Sequence, residues 1–290
     1  METPFGPPDP PFVPAPHLLP GAAVGAVPLT GGSVNEVWLV TLADGRSVVV
    51  KTTEGLPAAL YRREAEGLDA LRASGTVLTP RVLELGPDGM VLEAFDPAPA
   101  DAEFWERAGH AVAALHGTVG DRFGWAADGW LGRLPQRNPW TTDGHAFFAE
   151  HRLLRYLEEP LVRRVLADGE RADLERICRR LPDLLPAAPP VLTHGDLWRG
   201  NVVARPDGAP VFIDPAVCWM WAEADLSMMF RTGGVPARFF DAYQESRPLD
   251  AGWQDRTRLL HLRELLSSTA HVGDGYKRVG ELRATLRAYR

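Results

Sequence analysis

His194-Gly195-Asp196-Leu197-Trp198-Arg199-Gly200-Asn201 and, after a short hairpin pattern, Val211-Phe212-Ile213-Asp214-Pro215 decide how this chain is read. Phosphoryl transfer to a hydroxyl needs a carboxylate that accepts the hydroxyl proton, an Asn five residues on that holds one Mg²⁺, and a later Asp that holds the other. Asp196, Asn201 and Asp214 fill those places, so Asp196 is the candidate base and Asn201 and Asp214 are the candidate metal ligands. Gly195 and Gly200 permit the turns between them. A fixed His-Gly-Asp plus Asn arises by chance in about 1 of 550 chains of this length. Turn preferences explain Asp or Asn singly, not the set.

The upstream parts of such a site follow in order. Thr30-Gly31-Gly32-Ser33-Val34-Asn35 precedes Val37-Trp38-Leu39-Val40, a turn at Asp44-Gly45, and Val48-Val49-Val50-Lys51. This reads as strand, turn and strand, with Lys51 ending the third strand of a nucleotide-binding lobe. Gly31, Gly32 and Ser33 let backbone N–H groups approach phosphate oxygens, although a Gly pair alone also suits a plain turn. Pro57 opens a helix whose stripe of Leu60, Leu68 and Leu71 runs to Ser74-Gly75. Glu64, in its middle, is the expected partner of Lys51; Glu66 faces about 200° away. A second hairpin pattern, Pro80–Leu85 and Met90–Phe95, leads to a Pro-rich hinge at Asp96–Ala100.

Beyond the hinge the pattern turns helical. Asp101 caps a helix with Phe104, Trp105, Ala108, Val112 and Leu115 on one face, and further helices are expected over about 142–166, 171–181, 236–245 and 254–270. The fold class is α+β and two-lobed, with a small antiparallel-sheet N-terminal lobe at residues 17–95 and a larger, mainly helical lobe at 96–290. Residues 1–16 form a Pro-rich arm.

These residues resemble the fructosamine kinase (ketosamine 3-kinase) family, small-molecule relatives of protein kinases and aminoglycoside phosphotransferases. The discriminating motif is His-Gly-Asp-Leu-Trp-x-Gly-Asn at His194–Asn201. Asp214-Pro215-Ala216 and Glu223-Ala224-Asp225-Leu226 support it, and Phe123-Gly124-Trp125 and Phe147–Leu153 align with it. The resemblance implies a protein-kinase-like fold, ATP and Mg²⁺ as cofactors, and phosphorylation of the 3-hydroxyl of a ketosamine, free or on a glycated protein lysine. The unstable 3-phosphate would then release the amine. It further implies that Lys51 and Glu64 position the phosphates, that Gly31–Ser33 cover them, and that backbone at Glu93, Ala94 and Phe95 meets the adenine. Asp225 and His194 would support the catalytic loop, and Trp198 and His271 would line the acceptor site. Trp198 equally suits packing beneath its own loop, and His271 a surface position.

The sequence departs from the family pattern in three places. Gly32-Ser33-Val34 lacks the Cys of many eukaryotic members, Cys218-Trp219-Met220-Trp221 replaces a Tyr-Tyr-Gly run, and Arg199 stands where a small residue is common. Composition sets outer bounds. With a net charge of −7 and no Lys/Arg block, nucleic acid is not an expected partner. Two cysteines argue against a disulfide framework, and no apolar run of membrane-spanning length or signal-peptide pattern occurs, so a cytoplasmic monomer is expected. Two alternatives stay open: a kinase of another small hydroxyl compound, such as an aminoglycoside or amino alcohol, and a non-catalytic nucleotide-binding module.

Overall fold

The computed structural model describes residues 13–29, 36–52, 55 and 57–290. Gly31, Gly32 and Ser33, read as the phosphate-covering loop, lie outside the described residues. The chain divides into two compact units, one of the residues up to Ala65 with Pro80–Asp96, the other of Glu66–Thr79 with Pro97–Arg290.

The first unit is built on a five-stranded antiparallel sheet of order β1-β2-β3-β5-β4, from β1 (Ala23–Leu29), β2 (Glu36–Leu42), β3 (Ser47–Thr52), β4 (Val82–Leu85) and β5 (Gly89–Glu93). The Asp44-Gly45 turn forms because Gly45 takes a φ of 84°, while Asp44 Oδ1 accepts the Arg46 amide at 3.0 Å. Period-two alternation then sends Val48 and Val50 to one face, where they join Val40, Leu42 and Val91 in a small core. Lys51, on the opposite face, meets helix α1 (Ala58–Ala73).

In the second unit α2 (Ala102–Leu115) starts where the sequence places it, because Asp101 Oδ1 accepts the Phe104 amide at 2.8 Å. There follow the hairpin β6 (Gly129–Leu131) and β7 (Leu134–Gln136), α3 (Gly144–Phe148), α4 (Pro160–Val165), α5 (Asp168–Leu184), β8 (Val191–Thr193), the hairpin β9 (Val202–Ala204) and β10 (Pro210–Phe212), and β11 (Cys218–Met220). Helices α6 (Ala222–Thr232), α7 (Ala237–Ser246), α8 (Trp253–Leu260), α9 (Leu262–Val272) and α10 (Val279–Tyr289) complete it. One core joins α2, α6 and α7 to the segment at 194–214 through Leu197, Phe212, Leu226, Met229 and Phe239. Another gathers α5, α8, α9 and α10 around Leu174, Leu262, Leu266 and Leu282. No described helix is long and apolar enough to cross a membrane.

Two expectations are corrected and one helix is added. The segment at 142–166 is a broken series: α3, a π-type turn over Ala149–Leu153, a 3-10 turn over Leu154–Glu158, and α4. Pro160 forces the last break because it lacks an N–H and occupies the first turn of α4. The segment at 254–270 divides at His261, whose ψ of −8° interrupts the helical repeat. Helix α10 was not expected at all.

Where α2 crosses α7, Gly109 allows backbone contact: a Cβ there would lie 2.2 Å from the Phe239 carbonyl oxygen. Helix propensity alone makes Gly109→Ala stabilising. Overpacking reverses the sign, and we expect a loss of about 1–3 kcal/mol, lowering Tm by roughly 2–5 °C in a thermal melt. An unchanged or raised Tm would refute this close packing.

Candidate active site

The His194–Asn201 segment begins at the end of β8 and is fixed from below by one carboxylate. Asp225, 3% exposed on α6, accepts the His194 amide on Oδ2 at 2.6 Å and the Gly195 amide on Oδ1 at 2.9 Å. His116, at the end of α2, donates from Nε2 to Oδ2 at 3.3 Å, and its Nδ1 meets the Tyr243 hydroxyl of α7 at 3.0 Å. Burial raises the Asp225 carboxyl, but the His116 hydrogen bond and charge, the nearby His194 and the Gly195 amide outweigh it, and the net pKa lies below the ordinary carboxylate value. The loop can approach this closely because Gly195 has a φ of 80°, and a Cβ on it would fall 2.0 Å from the Ala216 carbonyl oxygen.

His194 ties the two halves of the motif together. Its amide-side neighbour, the Asp196 N–H, donates to Nδ1 at 3.3 Å, and Nε2 donates to the Ile213 carbonyl at 3.0 Å, one residue before Asp214. Burial lowers its pKa, which keeps the imidazole neutral in this tautomer. The backbone repeats the connection, Ile213 N–H donating to Asn201 O at 3.0 Å and Ala216 N–H to His194 O at 2.9 Å.

Asp196 and Asn201 therefore sit on one loop. Asn201 Nδ2 donates to the Asp196 carbonyl at 2.8 Å and to Asp196 Oδ2 at 3.2 Å, which leaves the Asn201 amide oxygen for a cation. Asp214 lies two residues past β10 rather than in the strand, in the left-handed region at a φ of 57°. Its charge reaches Asp196. Burial pushes the Asp196 carboxyl up to about 7, Arg263 opposing, with Glu264 and Asp214 adding to the rise. An amide oxygen and the Asp214 carboxylate beside the Asp196 carboxyl suit a hard divalent cation, so Asn201 and Asp214 fit the magnesium role.

Trp198 is half-buried, and its indole lies over Gly200, where a Cβ would meet the ring at 2.3 Å. His271 donates from Nδ1 to the Ser267 carbonyl at 2.8 Å and accepts the Arg133 amide on Nε2 at 3.0 Å, so both ring nitrogens are engaged within the protein. In the first unit Lys51, 3% exposed, donates to Glu64 Oε1 at 2.5 Å, whereas Glu66 is exposed. Glu93 ends β5 and contacts Arg81 at 3.3 Å; Ala94 and Phe95 follow it.

Sequence reasoning missed His116 and Tyr243, because a His before Gly at a helix end reads as a terminus and only the fold brings α7 to it. It also missed Arg263, Glu264 and Gln136. There a signal was present, an Arg-Glu pair inside the apolar run Leu259–Leu266.

The fructosamine kinase family profile matches residues 21–285. A probable ketoamine kinase of Thermus thermophilus is 36% identical over 87% of this chain and 89% of its own length. One from Synechocystis is 34% identical over 86% and 85%. The crystal structure of a fructosamine-3-kinase-type protein from Thermobifida fusca superposes with a TM-score of 0.84 at 34% identity, covering 94% of this chain and 96% of its own.

Asp225→Asn should cost about 3 kcal/mol or more at pH 7, because an amide cannot accept from three donors. A depressed folded pKa means this stability is fully present above the unfolded value of about 3.9 and is lost as pH falls through the folded value. The Tm gap between wild type and variant should therefore shrink below about pH 4. A gap of constant size down to pH 3 would contradict the assignment.

Proposed function

The chain belongs to the fructosamine kinase family, and on that premise we propose that it transfers the γ-phosphoryl group of ATP to the 3-hydroxyl of a ketosamine. Release of the amine from the unstable 3-phosphate makes the outcome deglycation. The observation that carries the reading is the Asp196–Asn201 loop, held by Asp225 and joined through His194 to the segment bearing Asp214.

Each residue has a physical task. Asp196, kept basic by its burial, takes the proton of the acceptor hydroxyl on a carboxylate oxygen as that hydroxyl attacks phosphorus. Asn201 orients Asp196 through Nδ2, and its amide oxygen and the Asp214 carboxylate would hold Mg²⁺. When bound, that ion neutralises charge on the transferring phosphates. Lys51, fixed by Glu64, binds nucleotide phosphates, and the backbone at Glu93, Ala94 and Phe95 receives the adenine edge. Trp198 presents one face of its indole to the acceptor while the other rests on Gly200. His271 acts on the acceptor side by holding the turn of the β6–β7 hairpin.

A coupled ADP-release assay across synthetic ketosamines, with an aminoglycoside and choline as controls, tests the substrate class. Turnover confined to ketosamines is expected; turnover of a control alone would replace the reading. Asp196→Asn should lower kcat by about 10²- to 10⁴-fold with ATP affinity nearly intact. Wild-type turnover would remove Asp196 as the base. Asp214→Asn keeps a residue that tolerates positive φ, so the fold should persist while Mg²⁺-dependent turnover falls at least about 100-fold. Undiminished turnover at low millimolar Mg²⁺ would count against its role.

A further inference from the structure

Arg263 and Glu264 are 7% and 5% exposed, on a helix otherwise packed with leucine. Arg263 Nη1 donates to Glu264 Oε1 at 2.7 Å, and Nη2 donates to Gln136 Oε1 on β7 at 3.0 Å. The cluster is incompletely satisfied: Arg263 Nε and His261 Nε2 are buried without a hydrogen-bond partner, and Glu264 Oε2 and His261 Nδ1 face one another at 3.6 Å, too far apart for a hydrogen bond. Buried ion pairs add little stability over apolar packing, and unmet buried polar atoms are rare in interiors. A purely structural role leaves this cluster unexplained.

Its connections lead to the active site. Helix α9 holds the β6–β7 hairpin twice, by Arg263 at Gln136 and by His271 at the Arg133 amide. The two anchors are about two helical turns, ~12 Å, apart, close to the ~10 Å that three extended residues span. The stem of the hairpin runs back to the catalytic segment. Trp125 N–H donates to Asn138 O at 3.0 Å, Gly124 and Trp219 exchange amide bonds at 2.9 and 3.1 Å, and β11 pairs with β8, which ends one residue before His194.

We propose that Arg263 is a positioning residue of the phosphotransfer site: through Gln136 it fixes the base of the β6–β7 hairpin beside the loop that carries Asp196, making that hairpin one wall of the acceptor pocket. The charges of Arg263 and Asp196 act on each other. The acceptor assay rests on the ketosamine reading above; the hairpin itself is measured independently.

The test compares Arg263→Met, Gln136→Leu, the double variant and the conservative Gln136→Glu, recording kcat, both KM values, Tm, and hydrogen exchange of residues 129–136. Each of the first two should raise the ketosamine KM about tenfold, leave the ATP KM within about twofold and speed hairpin exchange. The double variant should be no worse than the worse single one, since both break one contact. Gln136→Glu should restore near-wild-type behaviour. Should Arg263→Met fail to fold because Glu264 is left uncompensated, Gln136→Leu, which keeps the ion pair, carries the test. Equal changes in both KM values, a lowered Tm alone, additive effects, or unchanged hairpin exchange would each overturn the proposal. If the wild type turns over no ketosamine, the substrate reading falls, and hairpin exchange still decides the tie.

Discussion

The Asp225 carboxylate, buried and answered by two backbone amides and the His116 ring, is the constraint from which the geometry of the candidate site follows. Burying a charge is costly unless hydrogen bonds replace water. Here they come from the His194 and Gly195 amides and the His116 ring. Those amides precede Asp196, so satisfying the Asp225 carboxylate and placing the Asp196 side chain are one event. Because His116 caps the end of α2 and Tyr243 lies in α7, the chain of contacts also fixes how three helices meet under the loop.

Above that anchor the site gathers negative charge. Asp196 and Asp214 repel one another, and burial adds to the difficulty of ionising Asp196. Arg263 relieves part of this, but it shares its own charge with Glu264. A divalent cation with nucleotide phosphates is the natural complement of such a centre, since it brings positive charge where the protein supplies oxygen ligands.

Much of this was legible in the sequence because it depends on local chemistry. The Asp44-Gly45 turn, the Asp101 cap and the pairing of Lys51 with Glu64 each follow from residues whose backbone or charge requirement is specific. Asp196, Asn201 and Asp214 were visible as a spaced set, although the left-handed backbone at Asp214 was not. What escaped was what only packing decides. The break at His261 carries no Gly or Pro to announce it, and the π-type turn at Ala149–Leu153 turns Arg152 inward, where it reaches Asn138 Oδ1 at 2.6 Å. No periodicity predicts that contact. His116 joins Asp225 across 109 positions of sequence, a meeting that depends on the finished fold.

The positive φ of Asp214 narrows the routes by which this protein could decay. Most replacements there would strain the backbone as well as remove the carboxylate, and selection against misfolded chains would clear them. Asn and Gly alone accept that conformation readily. A descendant that lost phosphotransfer but kept its nucleotide-binding scaffold would therefore most easily carry Asn or Gly at this position. Such a lineage would retain a folded, stable chain with a silent centre, and this one residue would record the change.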